Sequence, residues 1–205
     1  ITKNPLGGHF MLTDIESGKI VIVSDADKLD GSFMVALPIN RSYAIQVSFN
    51  SYLPYSLNFD LKIPDGQTHY HIDIPLNPIN STTENVLANV FFDLNKSSLR
   101  QESAIELKNL AEFLRKNPNL KIELGGHTDT RGNAVENLAL STARAKTVYD
   151  YLISAEGIDP KRLTFVGYGE TMPLMDDIGI AKLKNEIEIE KAHQKNRRTV
   201  YKIIK

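Results

Sequence analysis

The stretch best equipped for chemistry is Gly125-Gly126-His127-Thr128-Asp129-Thr130-Arg131-Gly132-Asn133, followed by a helical pattern over 134–154. A strand ends, a glycine-rich loop turns and a helix begins. Backbone N–H groups at a helix N-terminus lack intrahelical partners, so the place suits an anion. Asp129 beside it suits a cation instead. Asn137, Leu140 and Arg144 follow at steps of three and four residues, which keeps them within about 60° of one another on a helix. Leu138, Ala145, Val148 and Leu152 fall on the neighbouring stripe and are expected to face the core. The polar stripe then lies at the rim of the buried face, where a groove wall would stand. Arg144 supplies a fixed cation, Asp129 a fixed anion, and the loop supplies amide donors between them. Arg recognises carboxylate bidentately and Asp accepts from an ammonium. A ligand carrying both groups on one carbon satisfies both: the head of a free amino acid, or the unlinked end of a diamino acid.

Each element also has a purely structural reading, and on spacing alone that reading stands ahead. Asn133 with Glu136 resembles a capping box. Asp129 could cap the loop, and Arg144 could pair with any surface carboxylate for little energy. Other chemistries fare worse. His69 and His71 alternate on one strand face, and His9 and His127 stand elsewhere, but no convergent carboxylates accompany them, so no metal site is expected. His127 and Asp129 lack a nucleophile or acid pair, so no catalytic residue and no enzyme activity are expected. Gly167-Tyr168-Gly169 follows a strand without the remaining glycines or helix of a nucleotide loop. No cofactor is expected.

The elements that must position this loop belong to a chain of 205 residues, long enough for one large or two small domains. Hydrophobic residues at 41% and charged residues at 24% exclude a disordered chain, a collagen and a coiled-coil rod. With 24 Lys+Arg against 25 Asp+Glu, no chain-wide footprint for nucleic acid exists. Absence of cysteine removes disulfides, thiolate zinc sites, iron–sulfur clusters and a cysteine nucleophile. Apolar runs are far shorter than the roughly 20 residues a membrane helix needs. The chain opens at Ile1 without Met, so it is read as a processed or cropped piece.

Charge divides the chain. Residues 1–80 hold five Lys/Arg and eight Asp/Glu, a net −3; the remainder holds 19 basic and 17 acidic residues, a net +2. Texture changes at the polar seam Pro78-Ile79-Asn80-Ser81-Thr82-Thr83-Glu84. The expected organisation is a domain over 1–79, a linker over 80–86 and a second domain over 87–205. In the first, strands are expected at 9–13, 19–23, 32–37, 43–49, 55–61 and 68–74, with period-two alternation clearest in 43–49 and 69–74. Turn residues between them point to a small antiparallel sandwich. In the second, 86–94 reads as a strand and 100–116 as a helix presenting Ala104, Leu107, Ala111 and Leu114. A strand over 120–125, a helix over 134–154, and strands over 162–168 and 198–204 follow. The order β-α-β-α-β, then a charged excursion and a final β, argues for an α/β layer fold. Residues 176–196 are read first as a solvated charge run, folded as a helical hairpin or loop.

Residues 86–174 and 196–204 resemble the OmpA C-terminal, peptidoglycan-binding domain family, which includes peptidoglycan-associated lipoprotein and the stator protein MotB. The matching pieces run in family order: Val90-Phe91-Phe92-Asp93-Leu94-Asn95 with Leu99; Gly126-His127-Thr128-Asp129 with Gly132; Asn137, Leu140-Ser141 and Arg144-Ala145; Val148, Tyr151-Leu152 and Gly157-Ile158; Arg162-Leu163, Gly167-Tyr168-Gly169-Glu170 and Pro173; and Asn196-Arg197-Arg198. The resemblance implies that Asp129 and Arg144 hold the free zwitterionic end of meso-diaminopimelate in an uncrosslinked stem peptide. It implies that Asn137 and the amides near Thr130 and Gly132 assist, and that Leu140, Leu94, Asn95 and Arg198 line the site. Family members often carry an aromatic and an Asp where this chain has Leu94-Asn95, which implies an altered pocket wall. The long insertion before Asn196 would shade or extend the groove.

Thr2-Lys3-Asn4-Pro5-Leu6-Gly7-Gly8, Thr13-Asp14-Ile15-Glu16-Ser17-Gly18-Lys19 and Asp30-Gly31-Ser32-Phe33 with Leu37-Pro38 and Tyr43 are similar to the carboxypeptidase-regulatory-like family. That implies a transthyretin- or Ig-like β-sandwich lacking its first strand, as in envelope proteins of Bacteroidota, some linked to type IX secretion. The resemblances together imply a non-catalytic wall anchor in the periplasm, associated with the outer membrane and partnered by the stem peptide and by outer-membrane or secretion-system proteins. The alternative is a scaffold module with an inactive groove, which a mutual buried salt bridge between Asp129 and Arg144 would favour.

Overall fold

The computed structural model describes residues 4–62, 69–80, 83–93 and 95–204. The chain divides into two compact units, Ile1–Ser81 and Thr82–Lys205.

In the first unit, β1 (His9–Asp14), β2 (Ile20–Asp25), β3 (Arg41–Ser48) and β4 (Tyr55–Leu61) form one antiparallel sheet in the order β2-β1-β3-β4. Alternation decides which face is buried. Phe10 and Leu12 of β1 stand opposite Val47 and Ile45 of β3, and all four are buried together. The expected strands at 32–37 and 68–74 form no ladder among the described residues, and Thr68 lies outside them. Their alternate apolar side chains still cover the sheet: Phe33, Val35 and Ile74 pack on the Phe10 cluster, and Leu37 on the Leu12 cluster. Burial of one face of each segment is therefore present without a ladder among the described residues. The β1–β2 hairpin closes on Asp14, whose Oδ1 accepts from the Ser17 amide at 2.8 Å and whose Oδ2 accepts from Arg41 Nη1 at 2.7 Å.

The second unit runs β5 (Asn85–Val86), α1 (Ser103–Lys116), β6 (Lys121–His127), α2 (Ala134–Ser154), a 3-10 turn (Pro160–Arg162), β7 (Leu163–Gly169), α3 (Asp177–Ile180), α4 (Glu186–Asn196) and β8 (Thr199–Ile204). The sheet order is β5-β8-β6-β7, with β6 and β7 parallel and the other pairs antiparallel. Of the strand expected over 86–94, among the described residues Val86 alone pairs with β8 as a strand, and Leu94 lies outside them. Leu107, Leu110, Ala111 and Leu114 of α1 and Ala145, Val148 and Leu152 of α2 fill the core with Ile122, Leu124 and Val200. Leu138, expected on that buried stripe, is instead 49% exposed, while Asn137 beside it and Ser141 one turn on take the buried positions. Arg162 fastens the end of α1, donating to the carbonyls of Leu114 at 2.9 Å, Asn117 at 2.8 Å and Leu120 at 2.9 Å. The Leu114 and Asn117 carbonyls are among those a helix C-terminus leaves without intrahelical partners.

Helix α2 lies unusually close to the sheet. A Cβ on Gly126 would fall 2.2 Å from the Ser141 carbonyl oxygen, and one on Gly167 would fall 2.4 Å from the Thr142 nitrogen. The two glycines let α2 rest on β6 and β7 backbone to backbone, which sets the height of the loop joining β6 to α2. Thr142 fills the space at Gly167, so Gly167-Tyr168-Gly169 is a helix seat and not a phosphate loop.

Candidate functional site

The loop over 128–133 is fixed at both ends. Thr128 N–H donates to Gly169 O at 2.9 Å, and His127 N–H to Arg198 O at 2.9 Å. At the other end Asn133 caps α2, its side chain accepting from Val135 N at 2.9 Å and Glu136 N at 3.3 Å. The expected capping residue is thus in use, which accounts for the helix start without a ligand. Between these anchors Asn137 reaches back from α2. Its Nδ2 donates to Asp129 O at 3.3 Å, Arg131 O at 3.1 Å and Glu170 Oε2 at 2.7 Å. Asn137 shapes the loop from inside.

Asp129 is buried, and its two oxygens differ. Oδ2 accepts from Arg131 Nε at 3.0 Å, from Arg131 Nη2 at 2.8 Å and from Arg197 Nη1; His193 Nδ1 stands 3.7 Å away. Among the described residues Oδ1 has one long contact, from Arg131 N at 3.4 Å. Arg144 is nine-tenths buried, with its guanidinium over the Phe92 ring at 5.0 Å. Its Nε donates to Lys96 O at 3.0 Å and its Nη2 to Asp93 O at 3.4 Å, while Nη1 makes no hydrogen bond among the described residues. Burial and the nearby Arg197 lower its pKa, against the charge of Asp129, which raises it. Asp129 and Arg144 lie within electrostatic reach, yet among the described residues no ion pair joins them.

The other sequence-selected residues are placed as follows. Thr130 Oγ1 donates to Asp177 Oδ1 of α3 at 2.5 Å. Gly132 adopts φ +100°, the left-handed region glycine favours, with nothing near its missing side chain. Leu140 is half-buried on α2. Asn95 is exposed at φ +56°, beside the Lys96 carbonyl that, with that of Asp93, holds Arg144, and Leu94 lies outside the described residues. Arg198 points elsewhere: its Nη2 donates to Met172 O at 3.1 Å and meets Glu84 Oε2 at 3.5 Å. The neighbouring Arg197 is the one that reaches Asp129.

Sequence reasoning did not select Arg131, Arg197, Glu190 or His193. Glu190 of α4 accepts from Arg131 Nη1 at 2.9 Å and from Arg197 Nη2 at 2.7 Å. The two guanidiniums, Arg197 foremost, hold its carboxyl down at about 2. The charged 176–196 stretch is therefore two helices, one of which closes over the Asp129 loop. Alternation offered one signal: adjacent residues entering a strand point to opposite faces, so Arg197 and Arg198 could not share a destination.

Beneath the loop, His127 is 1% exposed and stacks on Tyr168 at 4.9 Å. Neither ring nitrogen has a hydrogen-bond partner, and Glu84 Oε2 lies 3.8 Å from Nε2. Burial, then the charges of Arg198 and Lys202, push its pKa down to about 4. Elsewhere His9 pairs with Asp25 at 2.7 Å and His71 with Asp73 at 3.1 Å. Among the described residues no group of three His, Asp or Glu side chains is placed to hold a metal ion, and no helix is long and apolar enough to cross a membrane.

The OmpA family model matches residues 91–197, more than half of the chain. The chain belongs to the OmpA family. This OmpA-family chain is 34% identical over 116 residues to outer membrane porin F of Pseudomonas aeruginosa, covering 57% of this chain and 33% of that protein. It is 39% identical over 98 residues to peptidoglycan-associated lipoprotein of Rhizobium meliloti, covering 47% of this chain and 55% of that one. It therefore spans a third to about half of the length of these relatives. The crystal structure of peptidoglycan-associated lipoprotein from Burkholderia pseudomallei aligns at a TM-score of 0.47 and 27% identity, over 56% of this chain and 88% of that chain.

Proposed function

We propose that the OmpA-family unit binds peptidoglycan without catalysis, through the free ammonium–carboxylate end of meso-diaminopimelate in uncrosslinked stem peptides. The observation that carries this reading is the pair of open valences in the groove. Arg144 keeps Nη1 free beside two engaged donors, and Asp129 keeps Oδ1 nearly free beside a fully engaged Oδ2. A carboxylate fits the first and an ammonium the second. The similarity to proteins named peptidoglycan-associated lipoprotein supports the same reading. Leu140 and Asn95 would line the walls, and the Thr130 and Gly132 amides would face the ligand.

In this reading the protein tethers an outer-membrane or periplasmic assembly to the wall. The first unit is a carboxypeptidase-regulatory-like sandwich serving as spacer or docking module, joined to the second by a linker that ends where Asn85 and Val86 enter the second sheet as β5. Retention on purified sacculi tests the function. Asp129→Ala and Arg144→Ala each remove one charge-assisted contact, costing about 1.5–3 kcal/mol of binding. Both variants should lose retention while unfolding cooperatively near the wild-type temperature. Equal retention of wild type and both variants would refute the mechanism, and release of soluble fragments from the sacculi would refute the absence of catalysis.

A further inference from the structure

We propose that Glu190 of α4 is a positioning residue that sets how strongly this groove prefers a ligand with a free ammonium over the same ligand with that nitrogen blocked. The inference rests on the reading that Asp129 receives an ammonium. Asp129 alone could not do so well, because Oδ2 already carries two guanidiniums, Arg131 and Arg197. Two cations on one carboxylate would repel a third at Oδ1. Glu190 supplies the missing negative charge. Its Oε2 takes Arg131 Nη1 at 2.9 Å and its Oε1 takes Arg197 Nη2 at 2.7 Å. The four side chains then sum to zero, and both arginines are held between Glu190 and Oδ2, leaving Oδ1 open.

The placement of Glu190 comes from built structure. Asn185 caps α4 by accepting from Ile187 N at 2.8 Å. At the other end the fully buried Asn196 accepts from Leu174 N at 2.8 Å and Met175 N at 3.1 Å, and donates to Met175 O at 2.8 Å. The Thr130–Asp177 bond ties α3 to the same loop. With its side chain 55% exposed, Glu190 is not needed for the core. Its effect on a ligand is electrostatic, acting through the arginines.

The test uses the whole chain. Calorimetric titration compares a stem peptide ending in free diaminopimelate with the same peptide acetylated on the terminal amine. Glu190→Gln should weaken binding of the free-amine peptide by about threefold or more and leave the acetylated peptide unchanged or tighter, so their ratio falls. Arg131→Gln, which removes a cation from Asp129, should raise that ratio. A ratio unchanged in Glu190→Gln, or an equal fall for both peptides, overturns the inference while wild-type binding leaves the functional reading standing. A wild-type chain that binds neither peptide overturns both.

Discussion

Gly126 and Ser141 meet backbone to backbone where α2 rests on the sheet: a Cβ on residue 126 would lie 2.2 Å from the Ser141 carbonyl oxygen. The obstruction is backbone, so no side-chain rotation relieves it. Gly126→Ala should cost about 3 kcal/mol or more, at the top of the range for overpacking, and should lower the denaturant midpoint of the second unit. Gly132→Ala offers the contrast. Its surroundings are open and only its positive φ resists, so the expected loss is about 1–2 kcal/mol. Equal midpoints for the two variants would contradict the packing argument.

Asn137 joins stability to binding. Its amide holds the backbone of Asp129 and Arg131 as well as Glu170, so Asn137→Ala should loosen the loop from within. About 1–2 kcal/mol of stability should go with the lost hydrogen bonds. Retention on sacculi should fall, because Oδ1 of Asp129 is no longer fixed. Chemical denaturation and sacculus pull-down of the same variant separate the two losses.

Much of this loop was legible in the sequence, for a local reason. Asn133 and Gly157 mark the ends of α2, so the expected 134–154 is the observed helix. Gly157, at φ +68°, turns the chain and lets Ile158 N–H reach Leu152 O at 3.0 Å. What was not legible depends on contacts distant in sequence. Glu190 reads as one more acid in a charge run, and nothing local says that it lies against residues 59 positions earlier. Asn196-Arg197-Arg198 offers two adjacent arginines, and the pairing of Gly126 with Thr199 in the sheet fixes that Arg197 and not Arg198 faces the loop. The strands expected at 32–37 and 68–74 failed differently, since alternation reports burial of one face and not hydrogen bonding at the edge.

His127 makes the second unit sensitive to mild acid. Its pKa falls from an ordinary 6.5 to about 4 on folding. Above pH 6.5 both folded and unfolded chains carry the neutral ring, and nothing is lost. Between about 6.5 and 4 the unfolded chain binds the proton more readily, so stability falls as pH falls, by about 3 kcal/mol in all. His127→Phe should flatten this dependence in denaturation midpoints measured at pH 7, 5 and 4. An unchanged slope would show that the ring titrates normally.

Asp14 places a separate transition in the first unit. Hydrogen bonds from Ser17, then Arg41, hold its carboxyl at about 2 against an ordinary 3.8. A depressed carboxyl stabilises the fold above its unfolded value, and that contribution is lost as pH falls from 3.8 through 2. Asp14→Asn should therefore remove part of the acid dependence below pH 4 while leaving the mildly acidic range unchanged. Monitoring the two units by separate tyrosine or amide probes would distinguish the windows.

Strand β5 enters the sheet through two residue pairs, Asn85 with Tyr201 and Val86 with Val200, and Glu84 just before it meets Arg198. It is the edge strand, and the Asp129 loop rises from β6, two strands inward. Tension carried along the chain from the first unit must cross β5 before it reaches the groove. Those two pairs and the Glu84 contact are the ones such a load meets first, so β5 would peel from β8 before the β6 end that carries the loop is strained.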